Sequence, residues 1–295
     1  MYGRIIKGVG GFYYVFVDNA GIFECRARGI FRKDGLKPLV GDEVCLVKVE
    51  DSGEDRLSGS ITGILPRKNE LIRPAVANVD QMVLVSACSH PAPDTNLIDR
   101  ILISLSENGI PVIMIFNKAD LVPDGRMQLL KETYEQAGYK VLFTSALTDE
   151  GMQAFKSTLS GKTSAFAGPS GVGKSSLINI LSSYAKMETG ILSQKTERGR
   201  HTTRHSELFP LDDGGYVFDT PGFSCVYLPD MRKEELASYF HEFDRYEPGC
   251  RFQGCAHVDE PDCGVKTALA DGLISRSRYE NYKLFYEELK NRRRY

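Results

Sequence analysis

The most specific chemical motif of the 295-residue chain is a glycine-rich stretch that lies more than halfway along it. Residues 168–175 read GPSGVGKS and match G-x-x-x-x-G-K-[ST] without a mismatch. Such a loop turns backbone N–H groups toward phosphates at a helix N-terminus, where the helix dipole favours anions. Lys174 is expected to contact the β- and γ-phosphates, and the Ser175 hydroxyl to bind Mg²⁺. The predicted phosphate-binding set is Gly168, Pro169, Ser170, Gly171, Val172, Gly173, Lys174, Ser175 and Ser176.

A second polar motif, NKAD at residues 117–120, follows an apolar run earlier in the chain. The Asp120 carboxylate can accept two hydrogen bonds from guanine N1–H and N2–H₂, a pair that adenine does not offer. Asn117 is expected to bind the base and to brace the phosphate loop, while the Lys118 stem covers the ring. In the tripeptide TSA at 144–146, Ser145 precedes Ala146, whose N–H is expected to meet guanine O6. These residues predict a preference for GTP.

Two further elements complete the pattern. DTPG at 219–222 predicts that Asp219 holds Mg²⁺ through water and that the Gly222 N–H contacts the γ-phosphate. Residues 196–208 are polar and basic without periodicity, which is typical of a mobile switch. Either Thr202 or Thr203 could sense Mg²⁺ and γ-phosphate, and the sequence does not choose between them.

The order of these elements is unusual. GTPases ordinarily present the phosphate loop, the switch, DxxG, NKxD and SA in that order, whereas here NKAD and TSA come first. The sequence therefore predicts a circularly permuted domain, in which the same sheet is entered at a different point.

The residue after DTPG is Phe223, where Ras-type enzymes carry a water-positioning glutamine. A phenyl ring cannot orient water, so the intrinsic rate is expected to be slow. His201, in the switch, is the predicted replacement, with an exposed loop histidine or an RNA contact as the alternatives. His201, Lys174 and Thr203 form the predicted catalytic set.

A separate cluster places three thiols and one imidazole within fourteen residues, at Cys250, Cys255, His257 and Cys263. Three thiolates and one imidazole complete the tetrahedral shell of a structural zinc site and leave no position for a substrate. A small helical segment with little core of its own would need such an ion to fold.

Three kinds of segment must position these residues. Residues 1–68 contain short β-type runs separated by glycine and aspartate turns, which favours a small all-β barrel of the OB type. Half or more of its aromatic residues are expected in the core. Residues 71–228 alternate apolar strands with helical patterns, which predicts an α/β GTPase domain with a mostly parallel sheet. Residues 229–295, including ELASYF and the stretch 279–289, are expected to be helical and to bind zinc.

Composition narrows the partners and the location. Residues 1–37 and 276–295 each carry a net charge of +4, whereas the whole chain carries −2, so basic ends flank an acidic body. This pattern favours polyanion contacts by the ends, as do the basic and aromatic residues of the barrel. Scattered cysteines indicate a reducing cytosol, and neither a membrane span nor a secretory signal is expected.

Taken together, these motifs resemble the RsgA (YjeQ/YloQ) family of circularly permuted GTPases over essentially the whole chain. The resemblance is carried by the permuted order, GRHTTRH at 199–205, DTPGFS at 219–224, and CRFQGCAH with EPDC at 250–263. It implies a cytoplasmic factor, expected to be monomeric, that acts late in 30S subunit assembly and whose GTP hydrolysis is stimulated by the 30S particle. It also implies contacts of the barrel and the zinc domain with 16S rRNA.

Two alternatives remain open. The chain could be an RNA-binding module that uses GTP only as a ligand and hydrolyses it negligibly, which Phe223 would favour. It could also be a large-subunit assembly GTPase, a class that shares the permutation but usually lacks this pairing of barrel and zinc cluster.

Overall fold

The computed structural model describes residues 1–27, 31, 36–49, 57–72, 74–186, 206–219 and 227–292. The chain divides into two compact units. The described residues of 1–82, 156–166 and 174–223 form the first unit, and those of 83–155, 167–173 and 224–295 form the second.

The N-terminal strands close into a barrel, as the sequence predicts. The strands are β1 (Tyr2–Val9), β2 (Phe12–Val17), β3 (Gly21–Ala27), β4 (Glu43–Val49) and β5 (Ser58–Ile64). Their order around the barrel is β1-β2-β3-β5-β4. Strands β3 and β5 pair in parallel, whereas the pairs β1/β2, β1/β4, β2/β3 and β4/β5 are antiparallel. Closure leaves no unpaired edge strand that could recruit another chain.

The barrel interior is mainly aliphatic, which corrects the expectation for the aromatic residues. Of the barrel aromatic residues Phe12, Tyr13, Tyr14, Phe16, Phe23 and Phe31, only Phe23 and Phe31 are buried. The others are half-buried: Phe12, Tyr13, Tyr14 and Phe16. The interior is filled instead by β-branched and leucine side chains, among them Ile5, Val15, Val44, Leu46 and Ile61. A five-stranded barrel is narrow, so smaller side chains fit its axis and most rings are left at the surface.

A short antiparallel pair follows the barrel, formed by β6 (Glu70–Ile72) and β7 (Ala75–Ala77). The sequence did not predict it. The barrel turn at Gly41 approaches this pair closely, because a Cβ there would lie 2.2 Å from the Ala77 carbonyl oxygen and 2.8 Å from the Phe218 ring. Only glycine allows this packing, and its positive φ of +97° also favours glycine.

The α/β region contains a six-stranded sheet in the order β10-β9-β8-β11-β13-β12. Its strands are β8 (Gln81–Ala87), β9 (Val112–Asn117), β10 (Lys140–Thr144), β11 (Thr163–Ala167), β12 (Glu207–Pro210) and β13 (Tyr216–Asp219). Its helices are α1 (Thr95–Ser106), α2 (Asp124–Glu135), α3 (Met152–Leu159) and α4 (Lys174–Leu181). The pairs β9/β10 and β11/β13 are parallel, and β12/β13 is antiparallel. The predicted alternation of strands and helices is confirmed.

The described C-terminal residues form short helices around an aromatic core. Helices α5 (Gly264–Ala270) and α6 (Arg276–Asn291) follow three 3₁₀ segments at Lys233–Tyr239, His241–Phe243 and Glu247–Gly249. The rings of Phe240, Phe243, Tyr282 and Phe285 pack together in the core. ELASYF is helical as expected, and most of it lies in the 3₁₀ helix Lys233–Tyr239.

Candidate nucleotide and metal sites

The phosphate loop follows β11 and depends on glycine at its two ends. Gly168 has a φ of +133°, and a Cβ there would lie 2.0 Å from the carbonyl oxygen of Val85. Gly173 has a φ of +98°, and a Cβ there would lie 2.3 Å from Nδ2 of Asn117. Both positions therefore require glycine for conformation and for space. Gly171, between them, also has a positive φ.

Asn117 braces this loop from the end of β9. Its buried side-chain amide donates from Nδ2 to the Val172 carbonyl oxygen at 2.9 Å. Its Oδ1 accepts from the Ala146 backbone N–H at 3.2 Å and from the Thr144 hydroxyl at 3.3 Å. One side chain thus connects the NKAD and TSA stretches with the phosphate loop. In this structure the Ala146 N–H donates to Asn117 rather than standing open for guanine O6.

Lys118 and Asp120 flank the space beside Asn117. The Lys118 Nζ donates to the Gly171 carbonyl oxygen at 2.8 Å and to the His90 carbonyl oxygen at 2.5 Å. The buried Ser145 hydroxyl donates to Asp120 Oδ1 at 2.5 Å. The same hydroxyl oxygen accepts from the Leu147 and Thr148 backbone N–H groups. The Asp120 carboxylate is therefore oriented by Ser145, whose hydroxyl is itself held by the backbone of residues 147 and 148.

Lys174 and Asp219 lie near each other at the start of α4 and the end of β13. Burial lowers the pKa of Lys174, and the nearby Asp219 carboxylate opposes this shift. Burial raises the pKa of Asp219, and Lys174 opposes this shift in turn. An amine and a carboxyl group at these positions are the residue types expected to serve a triphosphate and its divalent cation. Ser175 and Ser176 are exposed at the first turn of α4.

Five residues singled out by the sequence lie outside the described residues. They are His201, Thr202, Thr203, Gly222 and Phe223. Their predicted roles stay predictions.

The Cys/His cluster brings four ligand atoms together. The Sγ atoms of Cys250, Cys255 and Cys263 and a ring nitrogen of His257 all lie within 4.8 Å of one another. His257 Nδ1 is 3.5 Å from the Cys250 sulfur and 3.4 Å from the Cys263 sulfur. Of these ligands, His257 and two of the cysteines are buried.

The spacing fits a tetrahedral zinc ion. Zinc–sulfur bonds of about 2.3 Å place two sulfurs of a tetrahedron about 3.8 Å apart. The Cys250 and Cys263 sulfurs are 3.8 Å apart. Burial raises the pKa of the Cys255 and Cys263 thiols, so their thiolate forms need a neighbouring cation. These residues could hold a metal ion, and the donor set suits zinc.

Both sites also depend on contacts that the sequence motifs do not reveal. The His90 carbonyl lies outside every motif, and the Ser145 hydroxyl donates to Asp120. On α6, Tyr279 and Tyr282 donate their hydroxyls to the carbonyl oxygens of His257 and Ala256. Every residue has a backbone carbonyl, so such acceptors cannot be recognised from residue types. Only the spacing of Tyr279 and Tyr282 on one face of a helix could have suggested their shared role.

Comparison with known proteins identifies the family. A family described as RsgA GTPase matches residues 64–229, and one described as the RsgA N-terminal domain matches residues 2–55. The chain belongs to the RsgA GTPase family. The curated RsgA protein of Agathobacter rectalis is 52% identical over 100% of both chains, and that of Caldanaerobacter subterraneus is 50% identical over 99% of this chain and 98% of its own. Both are named small ribosomal subunit biogenesis GTPases.

Solved structures of the RsgA family agree with the fold. The circularly permuted GTPase YloQ is 38% identical, has a TM-score of 0.76, and is matched over 100% of this chain and 96% of its own. YjeQ from Thermotoga maritima is 37% identical, has a TM-score of 0.75, and is matched over 99% of both chains. This chain is therefore a GTP hydrolase with a circularly permuted GTPase domain and an N-terminal barrel. None of its described helices is long and apolar enough to span a bilayer.

Proposed function

We propose that this GTPase acts in biogenesis of the small ribosomal subunit, in the cytoplasm, as a monomer. It binds GTP with Mg²⁺ through the nucleotide residues described above and hydrolyses it to GDP and phosphate. The 30S particle stimulates hydrolysis, and hydrolysis releases the protein late in assembly. The observation that carries the proposal is full-length similarity, at about half identity, to proteins named small ribosomal subunit biogenesis GTPases.

The assignment of guanine to residues 117–120 is supported by their geometry. The Asp120 carboxylate is oriented by Ser145, and Asn117 lies against the phosphate loop. In this proposal Asp120 reads guanine, Lys118 covers it, and Lys174, Ser175 and Asp219 serve the phosphates and Mg²⁺. Mg²⁺ would supply charge neutralisation at the phosphates. The domain limits proposed are 1–68, 71–228 and 229–295.

Contact with 16S rRNA is proposed for the barrel and the metal-binding domain. On the barrel, the Arg26 guanidinium lies over the Phe12 ring at 4.7 Å, with Arg26 exposed. In residues 250–263, which carry the Cys/His cluster and are called the metal loop below, Arg251 and Phe252 are both exposed beside Cys250. A cation beside an aromatic face suits a phosphate and a stacked, unpaired base. Zinc is proposed as a structural ion that holds this loop.

The decisive measurement is GTP turnover by the purified protein alone, with 30S subunits and with 50S subunits. Stimulation by 30S only is expected. Stimulation by 50S instead would favour a large-subunit role. GTP binding without hydrolysis under any condition would favour the RNA-binding module that Phe223 suggests.

His201 is proposed to position the attacking water in the stimulated reaction. A His201→Ala variant is expected to lose most of the 30S-stimulated rate while keeping its affinity for GTP. His241→Ala is the matched control, because His241 lies in the C-terminal domain and is outside the proposed site. Full stimulated hydrolysis by His201→Ala would remove His201 from the mechanism.

A further inference from the structure

A buried ionic network fixes helix α6 against helix α1. Arg278 of α6 is 1% exposed and donates from Nη1 to Asp99 Oδ1 of α1 at 2.5 Å. Its Nε and Nη2 donate to the two carboxylate oxygens of Glu242 at 2.5 and 3.1 Å. Asn281, one turn along α6, donates to the other oxygen of Asp99 at 2.7 Å. Removing one partner would leave a buried charge unpaired, so the two helices hold one relative orientation.

The same helix also holds the metal loop. The Tyr279 hydroxyl donates to the His257 carbonyl oxygen at 2.7 Å, and the Tyr282 hydroxyl donates to the Ala256 carbonyl oxygen at 2.6 Å. His257 belongs to the Cys/His cluster. Helix α6 therefore contacts the metal loop through Tyr279 and Tyr282, and helix α1 through Arg278 and Asn281.

Helix α1 starts beside the base-reading residues. Its cap, Asp94, accepts hydrogen bonds from the first turn of the helix. In the turn just before it, the Cys88 N–H donates to the Asn117 carbonyl oxygen at 2.8 Å. The His90 carbonyl oxygen accepts from Lys118 Nζ, which also donates to the Gly171 carbonyl oxygen. Residues 88–94 connect this turn directly to α1, so one of the two acceptors of Lys118 lies four residues before the helix cap.

We propose that Arg278 is a positioning residue for nucleotide binding, acting through α1 and the turn at His90 on Lys118, and that a metal ion in the Cys/His cluster supports it by holding α6. The proposal rests on the proposed function in two respects, the assignment of guanine to residues 117–120 and of a metal to the cluster. Binding is reciprocal, so nucleotide should also slow loss of the metal.

The first experiment compares the affinity for fluorescent GDP with and without a zinc-selective chelator, at saturating Mg²⁺ in both cases. In the wild-type chain, removing the metal is expected to weaken GDP binding about five- to tenfold, the lower range of coupling between linked sites. In the double variant Tyr279→Phe with Tyr282→Phe, the rings stay but the hydroxyls that hold the metal loop are lost. Chelation is then expected to change GDP affinity less than about twofold, since coupled perturbations are not additive.

Tyr286→Phe is the matched control. Tyr286 lies on the same helix, is half-buried against the same core, and has no hydroxyl contact with the metal loop among the described residues. It should respond to chelation as the wild type does. Two outcomes would overturn the proposal: unchanged GDP affinity in a wild-type chain shown by elemental analysis to have lost its metal, or an equal chelation effect in the double tyrosine variant.

The second experiment tests Arg278 directly. Arg278→Met alone would leave two buried carboxylates without a positive partner. It is therefore combined with Asp99→Asn and Glu242→Gln, so that all three side chains are uncharged, similar in size to the originals and compatible with folding. Arg100→Met is the control, since Arg100 pairs with Glu288 across the same two helices at a more exposed position.

With circular dichroism confirming folded chains, the triple variant should raise KM for GTP about fivefold and leave kcat unchanged, as expected for lost binding rather than lost chemistry. An unchanged KM would contradict a positioning role for Arg278. A wild-type chain that bound no guanine nucleotide would instead refute the proposed function, so the two failures are distinguishable.

Discussion

Asn117 shows at the residue scale how a short motif acquires its function. The side chain is buried, and its amide uses both ends, one on the phosphate loop and the other on the TSA stretch. A buried amide with all partners satisfied holds a single orientation. Asn117 therefore holds the GPSGVGKS and TSA stretches together by itself, without a ligand.

Gly173→Ala is expected to weaken GTP and GDP binding more than tenfold. The added Cβ would meet Asn117 Nδ2 at 2.3 Å, and the residue would keep a φ of +98°, so the brace on Val172 must break. Binding of a fluorescent nucleotide measures the loss. Gly138→Ala is the control, because Gly138 has a φ of +85° with nothing within 4 Å of the added Cβ. Equal affinities for the two variants would show that backbone strain, rather than the Asn117 contact, sets the effect.

At the scale of elements, the junction between α1 and α6 carries an unbalanced charge. One guanidinium, Arg278, faces two carboxylates, Asp99 and Glu242, and all three are buried. Burial raises the pKa of Asp99 to about 6, and Glu242 adds to this shift, whereas Arg278 and Asn281 oppose it. The junction therefore specifies orientation at a cost in stability near neutral pH.

This charge predicts a pH dependence of unfolding. The folded-state pKa of Asp99 lies above its unfolded value near 4, so the folded chain binds more protons between about pH 4 and 6. The contribution of Asp99 to stability is complete below that window and is lost as pH rises through it, with a magnitude of about 2–3 kcal/mol. Urea denaturation at pH 5.0 and 7.5 measures the part of this loss that lies above pH 5, about 1–1.5 kcal/mol. Asp99→Asn should lose less stability over this interval than the wild type, and an identical loss would contradict the shifted pKa.

At the scale of the whole molecule, circular permutation determines which part of the chain follows each nucleotide element. Residues 229–295 follow the DTPG stretch in the chain, and their helix α6 packs on α1, which precedes the NKAD stretch. Covalent connection and tertiary contact therefore link these residues to different motifs of the proposed nucleotide site. The described C-terminal residues contribute most of a cluster of fifteen buried residues, so the expectation of a segment with little core of its own is wrong. Because Cys255 and Cys263 belong to that cluster, a structural ion would add to a packed core rather than replace one.

Cys255→Ser is expected to remove the bound metal and to destabilise the C-terminal domain. A three-ligand shell binds zinc less tightly, and the binding free energy of a structural zinc is also folding free energy. Elemental analysis should fall from one zinc per chain toward zero, with a lower thermal midpoint. Cys45→Ser, on the half-exposed surface of the barrel, should retain both. A Cys255→Ser chain with full zinc content would exclude Cys255 from the shell.

Much of the fold could be predicted, because its signals are local. Apolar runs at 79–87 and 111–117 and the turns between short β-runs depend only on neighbouring residues, and β8, β9 and the barrel strands formed as expected. The antiparallel pair β6/β7 was not predicted, because strands of three residues are too short to show an alternation. The aromatic residues of the barrel were placed inside too often, since strand alternation does not tell which face is the narrow interior.

The sequence by itself determined the family, the permuted order of the nucleotide elements and the Cys/His donor set, because each is a pattern of residue types at fixed spacing. Only the tertiary structure decided that Lys118 donates to His90 and that Arg278 joins α6 to α1. Those contacts join residues 28 and 179 positions apart, and the first of them uses a backbone carbonyl that every residue possesses. Such pairs leave no signature in a single chain, because packing rather than spacing brings them together.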